Sequence, residues 1–478
     1  MTHLNERRLN EILILSTSLL DDRKLVYSGV IDHLTDQVGV NIWAASRRNP
    51  GTREMWSGVS AAVSSFPEIV PFREFPYAYL RHVNNAAWLV SRPTAAHAGV
   101  ERLIKQPNRK PLVRAASALG RGLGRAFLSE ALERSVNHLC RRYPRSPEGG
   151  KWLESLRPSL VVSTCPVRSA EPAIIAEAQR LRIPTAVVIH SFDNLTTKPR
   201  MLYDYDAYLV WSEQMKHELE YLYPRAVEKP IHVVGAPQFD VFRSDRFRVT
   251  REGFCGRMGL DPNRPIIVYA LGSPRLFPGE WIAPFELAKV LQEARFRQAQ
   301  LVIRPHPNFN DRKLREYFAS CPGVVIQSAR EWDRPLEERY HDEEAIVEWT
   351  GTFQHADVVV NMSSTATIDA ALLDTPVVNI DFDPNPDGVN RELIHEVNHR
   401  WEHFKPVAES GAVWLASDHE SVADGVCHYL DNPASHREAR ARIAESVCGF
   451  TDGECGRRMA EALLNTLEQT STSKGPSC

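Results

Sequence analysis

Four short segments carry side chains whose types and spacing could bind a nucleotide and move a proton. In the first, an apolar run (Val358, Val359, Val360) empties into Ser363, Ser364 and Thr365 and then into a helical pattern. The leading amides of a helix lack intrahelical acceptors and the helix dipole is positive there, so an anion can rest on the backbone while hydroxyls add donors. Ser364 or Thr365 would equally serve as a simple N-cap. Asp369, about one turn further on, is within reach of a ribose hydroxyl. Phosphate and ribose together describe a nucleotide.

In the second segment Leu301, Val302 and Ile303 open into Arg304, Pro305, His306, Pro307 and Asn308. The Arg304 fork suits phosphate oxygens, His306 could neutralise a departing diphosphate, and the prolines stiffen the loop. The third, Leu271, Gly272, Ser273 and Pro274, follows a strand pattern. It is a small-residue loop that would let backbone approach a ligand at a strand's carboxyl end. The fourth runs from Val187 to Asn194 and delivers His190 and Asp193 into one loop. Either could take a proton from an acceptor hydroxyl, or Asp193 could orient His190; an Asx-type turn at Asp193 and Asn194 is the plainer alternative. Asn194, Lys198 and Arg200 are the candidate contacts for an acceptor, anionic in the case of the two cations.

Two patterns invite a metal and are read otherwise. His395-Glu396-Val397-Asn398-His399 matches a zinc-peptidase motif, but the glycine that precedes a third histidine in metzincins is absent. Asp381-Phe382-Asp383 could hold a metal-nucleotide, yet Arg304, His306 and helix termini can offset leaving-group charge unaided. The expectation is no metal and no cofactor beyond a UDP- or CDP-linked co-substrate.

The segments IRPHPN, SSTATIDAALLDTPVV and IHSFDNLT together resemble the GT-B nucleotide-sugar transferases of bacterial surface polysaccharide synthesis. They are most similar to the CDP-glycerol glycerophosphotransferases and, more distantly, to the UDP-N-acetylglucosamine 2-epimerases. The likeness covers Leu160 to Leu464. It implies an α/β GT-B fold, two Rossmann-like domains whose parallel sheets face across a cleft, with Arg304, His306, Ser363, Ser364 and Thr365 lining the nucleotide diphosphate. The acid of the following helix, usually Glu, is Asp369 here. The Gly-Gly-x-Gln-Glu-Glu segment of the epimerases is missing. The implied activity is transfer of a sugar from a nucleotide-diphosphate donor to a hydroxyl of a glycan or lipid-linked acceptor. Glycerophosphate transfer from CDP-glycerol is the first alternative, and a non-catalytic nucleotide-sugar-binding scaffold the second.

These segments must be held by sheets, and apolar runs alternating with helical patterns predict parallel ones. Predicted strands are Ile12–Leu15, Val40–Ala44, Leu160–Ser163, Thr185–Ile189, Ala207–Val210 and Ile231–Val234, then Ile266–Ala270, Leu301–Ile303, Val324–Gln327, Val358–Val360, Val377–Ile380 and Val413–Leu415. At 478 residues the chain exceeds one hydrophobic core. The turn at Gly235-Ala236-Pro237 and the charged stretch after it divide it into an acceptor domain, 1–244, and a donor domain, 245–448. A helix over 449–468 returns to the first domain, and 469–478 reads as a disordered tail.

Eight cysteines without regular spacing fit reduced thiols. No apolar run approaches a membrane span, and Met1 to Asn10 lacks a signal-peptide pattern, so a cytoplasmic protein is expected. Net charge is −3, but residues 101–150 hold eleven lysines and arginines against four glutamates. With Leu112, Leu119, Leu123 and Phe127 at helical spacing, this region could contact an anionic membrane peripherally, or form only a solvated helix face. Basic residues are not interleaved with aromatics, which argues against nucleic acid as a partner.

Overall fold

The structure, a computed structural model, describes residues 10–70, 77–105, 110–126, 128–142, 146–167, 170–307, 311–328 and 341–472. Asn308, Arg109, Phe127, Arg145 and the tail from 473 onward lie outside them. Among the described residues thirteen strands form two sheets. In the first are β1 (Glu11–Ser16), β2 (Gly39–Ala44), β3 (Ala62–Ser65), β4 (Leu160–Ser163), β5 (Thr185–Val188), β6 (Ala207–Val210) and β7 (Ile231–Val233). The second holds β8 (Ile266–Ala270), β9 (Gln300–Arg304), β10 (Val324–Ile326), β11 (Val358–Asn361), β12 (Val377–Ile380) and β13 (Trp414–Ala416).

Their orders are β3-β2-β1-β4-β5-β6-β7 and β10-β9-β8-β11-β12-β13, and each neighbouring pair is parallel. Sheets covered by helices on both faces require strands apolar throughout. Residues 12 to 15 of β1, 266 to 269 of β8 and 358 to 360 of β11 are accordingly buried without interruption. Every predicted strand is present within a residue or two at its ends. The added strand, β3, is short and half exposed, as suits a sheet edge.

In both orders the chain builds outward from the first strand on one side and then crosses to the other. The reversal falls between β1 and β4 in one sheet and between β8 and β11 in the other. A crevice opens outside the carboxyl ends of the strands at such a point, and ligands of open α/β sheets bind there.

The chain divides into two compact units: Met1–Pro93 with Arg109–Asp240 and Glu454–Cys478, and Thr94–Asn108 with Val241–Gly453. Two features differ from the expected domains. Segment Thr94–Asn108 groups with the second unit, where Ala95 and Ala96 donate their amides to Glu402 and Arg102 pairs with Glu392 and Glu396. The basic stretch is therefore not one surface. The last helix, Cys455–Thr472, starts and ends later than expected and takes in the first residues assigned to a tail. Its Met459, Ala460, Leu463 and Leu467 join the core of the first unit beside Ile12, Leu25, Leu34 and Val40. Asp240 caps its start, accepting from the amides of Cys455 (3.2 Å) and Gly456 (2.6 Å).

Candidate active site

At the carboxyl edge of the second sheet, Ala270 is in register with both Arg304 and Asn361. The last residues of β9, β8 and β11 therefore stand side by side at strand spacing, about 4.8 Å apart. The three loops singled out in the second half of the sequence, beginning at Leu271, Pro305 and Met362, all leave this one edge. Arg304 is half buried, and its Nη1 donates to Gln327 Oε1 at 3.0 Å; Gln327 in turn donates to Thr352 Oγ1 at 2.7 Å. Burial lowers the guanidinium pKa, and the carboxylates of Asp369 and Glu348 act against it. An arginine stays charged under such a load. Asp369 accepts from Trp349 Nε1 at 3.2 Å. It faces a cation and an indole as well as any ribose.

The hydroxyl triplet is built more tightly than a helix cap. Ser363 is buried in the left-handed region (φ 49°) and its hydroxyl donates to Asn398 Oδ1. Asn361 Oδ1 accepts from the Ser364 amide (2.8 Å), the Ser364 hydroxyl (3.2 Å) and Thr367 Oγ1 (3.2 Å). Ser364 Oγ accepts the Ala366 amide at 3.3 Å. The N-cap by position is Thr365, whose side chain caps nothing, and the helix Ala366–Leu372 has only seven residues. Thr365 is exposed, and among the described residues its amide and hydroxyl have no partner. Of the three hydroxyl residues, only Thr365 keeps its amide and hydroxyl open, while Ser363 and Ser364 hold the turn. The asparagines that do so, 361 and 398, were not legible as site residues.

One expectation is corrected here. The Gly272 amide is not open to a ligand, since it donates to both oxygens of Glu280 (3.1 and 2.9 Å), and Ser273 O accepts from the amides of Leu276 and Phe277. Burial holds His306 below the ordinary imidazole pKa, which favours its neutral form, a donor or acceptor through the ring nitrogens.

Glu280 is buried and its carboxyl is pushed up to about 8 by burial, against the lowering effect of the Gly272 amide. The folded protein then keeps a proton that the unfolded chain loses near pH 4.5, so this group's contribution to stability is full below about pH 4.5 and is lost as pH rises through about 8. Glu280→Gln cannot ionise. Its melting temperature relative to the parent should rise as pH increases from about 6 to about 9. Parallel curves in calorimetry across that range would contradict the assignment.

The metal-like patterns are otherwise engaged. Glu396 pairs with Arg102 (3.0 Å) and Arg400 (3.1 Å), and His399 Nε2 lies 2.8 Å from Asp381 Oδ2. Asp381 also accepts from Asn398 (2.9 Å), and Asp383 from the Asn385 amide (3.0 Å) and Asn390 Nδ2 (3.0 Å). Among the described residues no group of three or more His, Cys, Asp or Glu is placed to hold a metal ion.

In the first unit, His190 follows β5 and its Nδ1 lies 2.6 Å from Asp21 Oδ1. Asp21 is fully buried and also meets Ser18 Oγ (2.5 Å) and Lys24 Nζ (3.4 Å). Burial opposes its ionisation, but the charges of His190 and Lys24 together with the hydrogen bonds from His190 and Ser18 outweigh this and hold it at about 2. Around it, Ser16 donates to Asp22 (2.5 Å), while Thr17, Ser163 and the Cys165 amide donate to Glu171 (2.5, 2.6 and 2.8 Å). Burial pushes Asp22 and Glu171 each up to about 7. These groups surround the reversal between β1 and β4, and none was a sequence candidate. A signal was present: β1 runs out into Ser16-Thr17-Ser18 and then meets Asp21-Asp22, the same strand, hydroxyls and acid as in Val358 to Asp369.

The other candidates of this unit scatter. Asp193 accepts from Asn194 Nδ2 (3.1 Å) and Thr197 Oγ1 (3.0 Å), the local turn of the plainer alternative, and so does not orient His190. Lys198 is 46% exposed and 3.8 Å from Asp193. Arg200 is buried in an ion pair with Glu133, which Arg225 shares at 2.7 Å, and this removes it as an open contact for an acceptor.

Two doubly wound, wholly parallel α/β domains define the GT-B fold, which this chain adopts. Solved structures sharing it include the UDP-GlcNAc 2-epimerase from Neisseria meningitidis bound to UDP-GlcNAc (TM-score 0.53, 13% identity, 95% of this chain and 100% of that one). Another is a glycosyltransferase from Rickettsia africae (TM-score 0.51, 10% identity, 98% of this chain and 100% of that one). Among curated proteins the chain is 26% identical over 247 residues to the lipid-A-disaccharide synthase of Geobacter metallireducens, and 26% over 250 residues to that of Geobacter sulfurreducens. Each match spans 50% of this chain and 58% of the relative, so the likeness takes in little more than half the length of those proteins. No protein-family model matches.

Proposed function

We propose that the chain is a glycosyltransferase that moves a sugar from a nucleotide-diphosphate donor to a hydroxyl acceptor in cell-surface polysaccharide or glycolipid assembly. The observation that carries this reading is the meeting of Arg304, the Ser363–Thr365 turn and Asp369 at one carboxyl edge, beside the strand reversal. A guanidinium with an open amide and hydroxyl at Thr365 suits a diphosphate. The curated relatives are named for joining a lipid-A disaccharide, which favours a glycolipid acceptor. In this reading Arg304 offsets the charge of the leaving diphosphate, and no divalent ion is required.

A thermal-shift series with UDP, CDP, GDP and their sugar or glycerol conjugates tests it. A ligand at 100 times its Kd stabilises by about 2.7 kcal/mol, readily seen as a raised melting temperature. A response to UDP or GDP sugars with product formation in chelator is expected. A response to CDP-glycerol alone would replace sugar transfer by glycerophosphate transfer, and no response to any nucleotide would end both.

The acceptor reading extends to peripheral membrane contact. The described helices are not long and apolar enough to cross a membrane. Helices Pro111–Arg125 and Ser129–Arg142, with Leu128 just before the second, nonetheless expose Leu112 (61%), Leu119 (49%), Leu128 (47%) and Leu139 (39%) among Arg114, Arg125, Arg134, Arg141 and Arg142. Exposed leucines among cations suit an anionic interface. Sedimentation with phosphatidylglycerol vesicles should exceed that with phosphatidylcholine vesicles and fall on replacing Leu112 and Leu119 by serine; equal sedimentation would contradict it.

A further inference from the structure

We propose that Asp21 is the positioning residue for His190, fixing the imidazole proton on Nδ1 and leaving the Nε2 lone pair as the base for the acceptor hydroxyl. This deepens the sugar-transfer reading and rests on it. A carboxylate only accepts, so the 2.6 Å contact requires the hydrogen on Nδ1. In a neutral imidazole Nε2 is then the acceptor. His190 is 15% exposed while Asp21 is fully buried. Among the described residues Nε2 has no hydrogen-bond partner.

Asp21 itself cannot rotate away. Ser18 Oγ holds Oδ2, and His190 and Lys24 both lie on Oδ1. The helix that carries it, Leu19–Tyr27, begins immediately beyond β1, at the strand reversal where ligands of such sheets bind. Asp22 and Glu171 fasten Ser16 and Ser163, the last residues of β1 and β4, and so fix the floor from which Asp21 reaches His190.

The step balances. The acceptor O–H proton passes to Nε2, the oxygen's electron pair forms the bond to the anomeric carbon, and the bond from that carbon to the donor phosphate oxygen breaks. Its electron pair leaves with the nucleoside diphosphate. The imidazolium so formed is stabilised by Asp21, which stays ionised throughout.

The test follows the His190 ring by long-range ¹H–¹⁵N NMR, assigned by its loss in His190→Gln, alongside product formation. The parent should show the Nδ1–H tautomer. Asp21→Asn should lower turnover by about 10²- to 10⁴-fold, with donor KM unchanged. Asp21→Asn combined with His190→Gln should be no slower than His190→Gln alone. Lys24 loses its partner in Asp21→Asn, so Asp21→Glu, which keeps the charge but displaces it, provides a second variant; its turnover should also fall. An Nε2–H tautomer in the parent, or Asp21 variants that fold and turn over like it, would overturn the proposal. A parent that makes no product counts instead against sugar transfer, and the tautomer still decides the pairing.

Discussion

Turnover of His190→Ala should fall by about two to four orders of magnitude while donor binding is unchanged. General-base catalysis contributes about 10²- to 10⁴-fold, and removing it leaves the ground-state contacts of the donor intact. The variant keeps Asp21 paired with Lys24 at 3.4 Å, so an unfolded protein is not the expected cause of the loss. Asp193→Ala is the internal comparison. Its carboxylate serves the turn at Asn194 and Thr197, so its removal should lower the melting temperature modestly and leave turnover within an order of magnitude of the parent. Steady-state kinetics with near-UV circular dichroism on both variants decides the matter, and equal losses in the two would refute the assignment.

The second large effect is expected at Arg304. Charge-assisted hydrogen bonds are worth about 1.5 to 3 kcal/mol, so Arg304→Ala should weaken nucleoside diphosphate binding about 10- to 150-fold. The nucleoside monophosphate should lose less, because it presents fewer oxygens to the fork. Arg304→Lys keeps a charge but not the planar fork, and should recover only part of the affinity. Removing the guanidinium also strips Asp369 of its cationic neighbour and Gln327 of a donor. Calorimetric titration should therefore be paired with a melting curve. Unchanged diphosphate affinity in a folded Arg304→Ala would show that the clamp lies elsewhere.

The strands were legible because a strand buried on both faces must be apolar end to end, and such runs stand out between charged segments. β3 escaped for the opposite reason: Ala-Val-Ser-Ser at a sheet edge needs no continuous apolar run. Arg304 and the Ser363–Thr365 turn were legible because each is the first polar group after such a run, and a polar group at a strand's carboxyl end is where site chemistry sits. What those groups bond to was not. Asn361 lies inside a strand and Asn398 inside a helix, and only the packing of β11, β12 and the Arg391–His399 helix brings them to the serine triplet.

Asp21 was hidden by a local rule. Acids in the first turn of a helix usually read as solvated partners of the helix dipole. This one is buried because β4 returns beside β1 from far along the chain and brings Glu171, while β5 brings His190. Asp193 was favoured by its nearness in sequence to His190, and nearness in sequence made it the turn's acceptor instead. The same hydroxyl-then-acid grammar after β1 and after β11 reflects the shared topology of the two sheets.

A crystal structure with UDP bound tests the central claim most directly. The account places diphosphate oxygens within hydrogen-bond distance of the Arg304 guanidinium and of the Thr365 amide or hydroxyl. Density for the diphosphate away from both, with Arg304 still turned to Gln327 and Asp369, would contradict it.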